Sequence, residues 1–147
     1  MRIVVGSDHS GFPLKADLIA HAEALGHTVQ DVGGYDDSQV DFPDIAQALT
    51  GVITNGDADR GLMVCGTGVG AAIAANKVAG IRAAVCHDVH SAHQSVEHDD
   101  VNVMCIGAKI VGPWLARGLL EAFLAARFST EEHFRRRVAK LAEMERR

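Results

Sequence analysis

Five short apolar runs, separated by stretches whose apolar residues recur at helical spacing, limit what this chain can become more than any other feature does. Ile3-Val4-Val5-Gly6, Thr28 to Val32, Leu62-Met63-Val64, Ile81 to Cys86 and Val101 to Ile106 read as strands. After the first, Leu14, Leu18, Ile19, Ala22 and Leu25 repeat at helical spacing until Gly26 stops the helix. Asp41-Phe42-Pro43-Asp44 opens a second helix carrying Ile45, Ala48, Leu49 and Val52, and Ala71 to Lys77 are mostly good helix formers. Residues 87–98 and 113–128 read as further helices, and Ser129 or Thr130 is expected to cap a last one. Strands that alternate with helices form a parallel sheet, and right-handed crossovers cover both of its faces. The expectation is a five-stranded parallel sheet of order 2-1-3-4-5 in a three-layer α/β/α sandwich with a C-terminal helix, all in one domain over residues 1–147. Hydrophobic residues make up 48% of the chain, enough for a core that needs no cross-links.

A formal charge of -5 gives no general attraction to nucleic acid, although the last turns are basic. No apolar run is long enough to span a membrane. Cys65, Cys86 and Cys105 lie in or end apolar runs, and an odd count without a signal peptide points to a reducing cytoplasm. A small-molecule partner is what these features leave.

Val64-Cys65-Gly66-Thr67-Gly68-Val69-Gly70 carries a thiol and a hydroxyl from the third strand into a glycine-rich turn that opens a helix. First-turn amides have no partner inside a helix, so such a turn can wrap N–H groups around a charged oxygen. A thiol there can supply a thiolate as base or nucleophile, and Thr67 adds a donor for a reaction passing through an oxyanion. The competing reading of Cys65 is a buried, inert strand-end cysteine. In a doubly wound sheet ligands lie beyond the carboxyl ends of the strands at the switch point, here between strands 1 and 3, which sets Asp8-His9 opposite Cys65-Gly66-Thr67. Asp8 equally reads as a carboxylate capping the next helix.

Other motifs are weaker. His98 precedes strand 5, the wrong end of the sheet for the Cys65 loop, and a helix C-terminus is an ordinary place for a histidine. Residues 131–137 read as a solvated helical face, yet His133 and Arg137 stand four apart and are spaced to grip one anion. His87, His90 and His93 lack a recognised ligand spacing, so no metal is expected. The glycine loop follows strand 3, not strand 1 as a dinucleotide fingerprint does, which leaves a nucleotide- or flavin-binding regulatory module as the weaker functional reading.

Gly6-Ser7-Asp8-His9 with Gly11, Asp41-Phe42-Pro43, Cys65-Gly66-Thr67-Gly68-Val69-Gly70, Ala74-Ala75-Asn76-Lys77, Gly80-Ile81-Arg82-Ala83, and Asn102-Val103 through Gly107 resemble the type B ribose-5-phosphate isomerases and the related galactose-6-phosphate isomerase subunits, nearly end to end. The resemblance implies a Rossmann-like sandwich working as a homodimer or tetramer, and aldose–ketose isomerisation through a cis-enediolate without metal or cofactor. It implies that Cys65 is the base, that Thr67 and the amides from Gly66 through Gly68 to Gly70 hold the enediolate, that His98 assists ring opening, and that Asp8 and His9 contact the sugar and its phosphate. The family pocket lies between subunits, which is how His98 and the C-terminal helix would reach a Cys65 loop. Departures gather on the substrate side: Phe42 replaces a tyrosine, Asp99 an asparagine, Lys109 an arginine, and His133 one of two arginines four apart, the other being Arg137. Arg136 is a substitute for the missing one, though helix geometry turns it about 100° from Arg137. A lysine and a histidine read a phosphate dianion less firmly than planar guanidinium forks, so ribose 5-phosphate is the default sugar, with another sugar phosphate or a free sugar open.

Overall fold

The computed structural model describes residues 1–146. In chain order the elements are β1 (Arg2–Ser7), α1 (Phe12–Ala24), β2 (Thr28–Asp31), α2 (Phe42–Thr54), β3 (Arg60–Cys65), α3 (Val69–Ala75), β4 (Ala83–Val85), α4 (Val89–Asp99), β5 (Val103–Gly107), α5 (Pro113–Ala125) and α6 (Glu132–Met144). All strand pairs are parallel, with Cys65 of β3 in register with Gly107 of β5.

The sheet order is 2-1-3-5-4, which corrects the expected 2-1-3-4-5. Burial gives the reason. Every residue of Val103–Gly107 is buried, the mark of a strand with neighbours on both sides, whereas Ala83–Val85 is only three residues long and Val85 is exposed. Both stretches are apolar in sequence, but only the longer one belongs inside the sheet. The chain therefore passes over one position between β3 and β4 and returns through α4 to β5.

Helices α1, α4 and α5 cover one face, burying Leu14, Leu18, Ala92, Val96, Leu119, Leu120 and Phe123 against Ile3, Val5, Leu62, Val64, Met104 and Ile106. Helices α2 and α3 cover the other, where Ala46, Leu49, Ala71 and Ala75 pack on Val4, Met63, Val103 and Cys105. Crossovers moving toward β2 carry their helices on the first face and those moving toward β4 on the second, as a single crossover hand requires. None of the residues of α6 is buried, and it packs only lightly, on α4.

Helix ends differ from the sequence expectation where a side chain fails to cap. Asp41 occupies the N-cap of α2 without a side-chain bond to it. Helix α6 starts after Glu131, not after Ser129 or Thr130; the Ser129 hydroxyl instead accepts the Glu131 amide, 3.1 Å away, in the turn before the helix. Asp88 does cap α4, accepting from the Ser91 amide at 2.7 Å.

At the start of β3, Arg60 donates to the carbonyls of Phe123 and, at 2.7 Å, Ala126, with its guanidinium 5.3 Å from the Phe123 ring. These are C-terminal carbonyls of α5 that no helical amide reaches. Arg60→Ala strips both of their charged donor, and is expected to lower unfolding free energy by about 1.5–3 kcal/mol at unchanged denaturant slope. Urea titration measures it.

Candidate active site

Cys65 ends β3 with its side chain on the α2–α3 face of the sheet, almost completely buried. Its Sγ accepts the Gly68 amide at 3.0 Å, which orients the sulfur inside the turn. Gly68 is the N-cap of α3 and sits at φ 84°, a left-handed conformation that a residue with a Cβ resists. Thr67 stands exposed at the tip; its Oγ1 accepts from the Val69 amide at 3.4 Å, which leaves the hydroxyl hydrogen free to donate.

The end of β5 is the wall of this turn. Ala108 and Lys109 donate their amides to the carbonyls of Cys65 and Gly66, at 2.8 and 3.0 Å. Gly107 presses so close that a Cβ there would stand 2.5 Å from Thr67 Cα and 2.7 Å from the Gly66 carbonyl oxygen. The stem of Lys109 passes near Gly66, as does Ser10 from the β1–α1 loop: a Cβ built on Gly66 would meet Lys109 Cδ at 3.7 Å and Ser10 Cβ at 3.6 Å.

From the β1 side, the buried Asp8 binds to this edge through its amide, which donates to the Val64 carbonyl at 3.3 Å. One of its carboxylate oxygens accepts the Gly11 amide at 2.9 Å, in the turn before α1; Gly11 itself is the N-cap and no side chain caps the helix, which corrects the reading of Asp8 as a helix cap. His9 accepts the Val40 amide on Nδ1 at 3.4 Å, which puts the ring proton of the neutral form on Nε2. Phe42 lies directly on Gly70, where a Cβ would overlap its Cζ at 2.8 Å. Asp8 at the Val64 carbonyl, Phe42 at Gly70 and Lys109 at Gly66 thus stand around the turn that Cys65, Gly66, Thr67, Gly68 and Gly70 form, with His9 next to Asp8 in the β1–α1 loop.

Burial pushes the thiols of Cys86 and Cys105 upward, and Cys105 is also raised by the neighbouring cysteines. Neither is a competing thiolate. His87, His90 and His93 do not converge on a metal: among the described residues no three His, Cys, Asp or Glu side chains are placed to hold one, and His93 faces Glu97 at 3.5 Å.

His98, His133 and Arg137 gather at the opposite edge of the sheet. The His98 ring stacks on Phe134 with centroids 4.0 Å apart, the His133 ring leans on the same phenyl at 4.0 Å, and the Arg137 guanidinium lies 5.9 Å from it. Phe134 organises this cluster and was not among the sequence candidates; its signal was an aromatic side chain set between two residues four apart on one helix. Arg136 does not join them, since its guanidinium pairs with Glu132 at 2.6 Å on the exposed side of α6. Asp99 is exposed and lines a groove of about 550 Å³ with Asn76, Arg82, Leu141, Met144 and Glu145. A second groove, of about 490 Å³, lies beside Trp114, and neither groove includes the Cys65 loop. Within one chain the two groups are separated by the length of β5, about 16 Å for five residues.

Comparison with known proteins adds an independent line. A profile described as Ribose/Galactose Isomerase matches residues 3–141. Ribose-5-phosphate isomerase B of Escherichia coli is 41% identical over 135 residues, covering 92% of this chain and 91% of that one. D-erythrulose-4-phosphate isomerase 2 of Mycolicibacterium smegmatis is 43% identical over 135 residues, covering 89% and 88%. The solved ribose-5-phosphate isomerase B of Clostridium thermocellum has a TM-score of 0.96 at 40% identity, covering 99% of this chain and 98% of that one.

Gly68→Ala tests the geometry of the loop itself. The new Cβ meets the Ile106 and Cys105 backbone at 3.2–3.3 Å and must adopt a positive φ. Thermal unfolding is expected to shift down by roughly 3–8 °C, the effect of about 1–2 kcal/mol in a domain of this size.

Proposed function

Because this chain belongs to the ribose/galactose isomerase family, and is an aldose–ketose isomerase by that membership, we propose that it interconverts ribose 5-phosphate and ribulose 5-phosphate through a cis-enediolate with Cys65 as the base. The observation that carries this reading is the Cys65 turn: an oriented sulfur, a free hydroxyl hydrogen on Thr67 and a glycine-rich backbone meet within three residues. In the forward direction the Cys65 thiolate takes the proton from C2 of the open-chain aldose and returns it to C1, while the O2 hydroxyl proton passes to O1, leaving a carbonyl at C2 and a hydroxyl at C1. Charge that develops on the two oxygens is met by the Thr67 hydroxyl and by the Gly70 amide, a first-turn donor with no partner inside α3. Proton transfer alone accounts for the chemistry, so no metal or cofactor enters the scheme.

A second copy of the chain completes the site. Support comes from surfaces that one chain leaves uncovered: Val69 and Ile73 of α3 beside the loop, and Leu141 and Met144 on α6, are all exposed apolar residues. An isologous dimer brings the partner's α6 to each loop and makes two equal sites. His98 then assists ring opening, His133 and Arg137 hold the phosphate, and Asp99 reads a sugar hydroxyl. With three free cysteines, the enzyme works in the cytoplasm.

A second reading of the substrate rests on the Mycolicibacterium smegmatis relative, named for a four-carbon sugar phosphate at 43% identity. Lys109 and His133 fit it, because a point charge and an imidazole demand less exact phosphate geometry than paired guanidinium forks. A coupled assay over tetrose, pentose and hexose phosphates and their free sugars separates the readings. Cys65→Ala is expected to lower kcat/KM for the preferred sugar by about 10²- to 10⁴-fold, the usual share of a general base. A variant keeping more than about a tenth of wild-type kcat/KM contradicts the assignment.

A further inference from the structure

His87, which joins no metal site, stands in the short link between β4 and α4. Its half-buried ring turns toward the carboxyl edge of the sheet, where Nε2 accepts the Gly107 amide at 2.9 Å. The need for that acceptor follows from the sheet. In β5, Cys105 faces β4, where its carbonyl accepts the Cys86 amide at 3.2 Å; Gly107, two residues on, directs its N–H to the same side. Strand β4 has ended by then, at Val85, so no backbone carbonyl continues the ladder. The imidazole takes the place of the missing strand.

Gly107 is where the Cys65 turn is shaped. It is in register with Cys65, it leaves no room for even a Cβ against Thr67 Cα, and it begins the turn in which Lys109 crosses Gly66. We infer that His87 is a positioning residue for the isomerase: as a neutral imidazole protonated on Nδ1, it anchors the end of β5 and so holds Thr67 and Lys109 in working register with Cys65. This inference rests on the proposed isomerase activity. The effect falls on orientation: an acceptor lost here lets β5 drift from the turn, and displacement near 1 Å at a catalytic group costs on the order of 10²-fold in rate.

Two variants and one spectrum test it. His87→Leu removes the acceptor, while His87→Gln keeps one, since the glutamine amide oxygen reaches the position of Nε2. With the preferred sugar phosphate, His87→Leu is expected to lower kcat at least tenfold with KM changed less than about threefold, and His87→Gln to return kcat to within about threefold of wild type. A merely structural role moves both variants' thermal stability without that rescue. Long-range proton–nitrogen NMR of the wild-type chain, at a pH where His87 is neutral, is expected to find the His87 proton on Nδ1 and Nε2 unprotonated. The inference is overturned by a His87→Leu enzyme within twofold of wild-type kcat, by a His87→Gln enzyme as slow as His87→Leu, or by a proton on Nε2. If the wild-type chain isomerises no sugar of the panel, the proposed activity fails, while the NMR result still decides whether His87 holds Gly107.

Discussion

The site hangs on one close approach, that of Gly107 in β5 to the Thr67 turn after β3. The carbonyls of Cys65 and Gly66 are held by amides of Ala108 and Lys109, so the turn bearing the thiol is an extension of the sheet and moves with it. Such contact is open only to a residue without a side chain, because a Cβ on Gly107 would fall 2.5 Å from a backbone atom that cannot yield. The interior position of β5 follows from the same requirement: its five buried residues place Gly107 beside Cys65, which the expected order, with β4 between them, would have kept apart.

A second consequence of the parallel sheet concerns direction. Helices that follow strands run back toward the amino edge, so α4 and α5 deliver their ends, and α6 after them, to the side away from the thiol. The Phe134 cluster of His98, His133 and Arg137 is built there. A single chain therefore carries the Cys65 thiol at one edge and the Phe134 cluster at the other, about 16 Å of strand between them. Two-fold pairing is the economical way to bring such halves face to face, and the uncovered apolar residues of α3 and α6 fit that pairing.

How far this was legible in sequence differs from residue to residue. Periodicity located the strands and helices, and the switch-point rule put the Asp8-His9 loop at the Cys65 end of β3, where the Asp8 amide donates to the Val64 carbonyl. Strand order was not legible, because Ile81 to Cys86 and Val101 to Ile106 are equally apolar and the edge position of the former depends on how few of its residues are extended. Caps were half legible: Asp88 binds its helix, while Asp41 makes no such bond and Ser129 acts two residues before the N-cap. His87 was weighed with His90 and His93 only as a metal ligand, for which their spacing is wrong, since its partner is a backbone amide that only the sheet brings near. Phe134 escaped notice because an aromatic between His133 and Arg137, in a run read as a solvated helical face, does not show that His98 of another helix will stack on it.

The account stands or falls on whether the two edges act together across two copies. Cys65→Ala and His98→Ala chains, each inactive as homodimers, can be co-refolded and the mixed dimer isolated by a pair of affinity tags. In that dimer one site pairs an intact Cys65 with an intact His98 and the other has neither, so the account predicts about half the wild-type activity per dimer. A mixed dimer no more active than its two parents contradicts it.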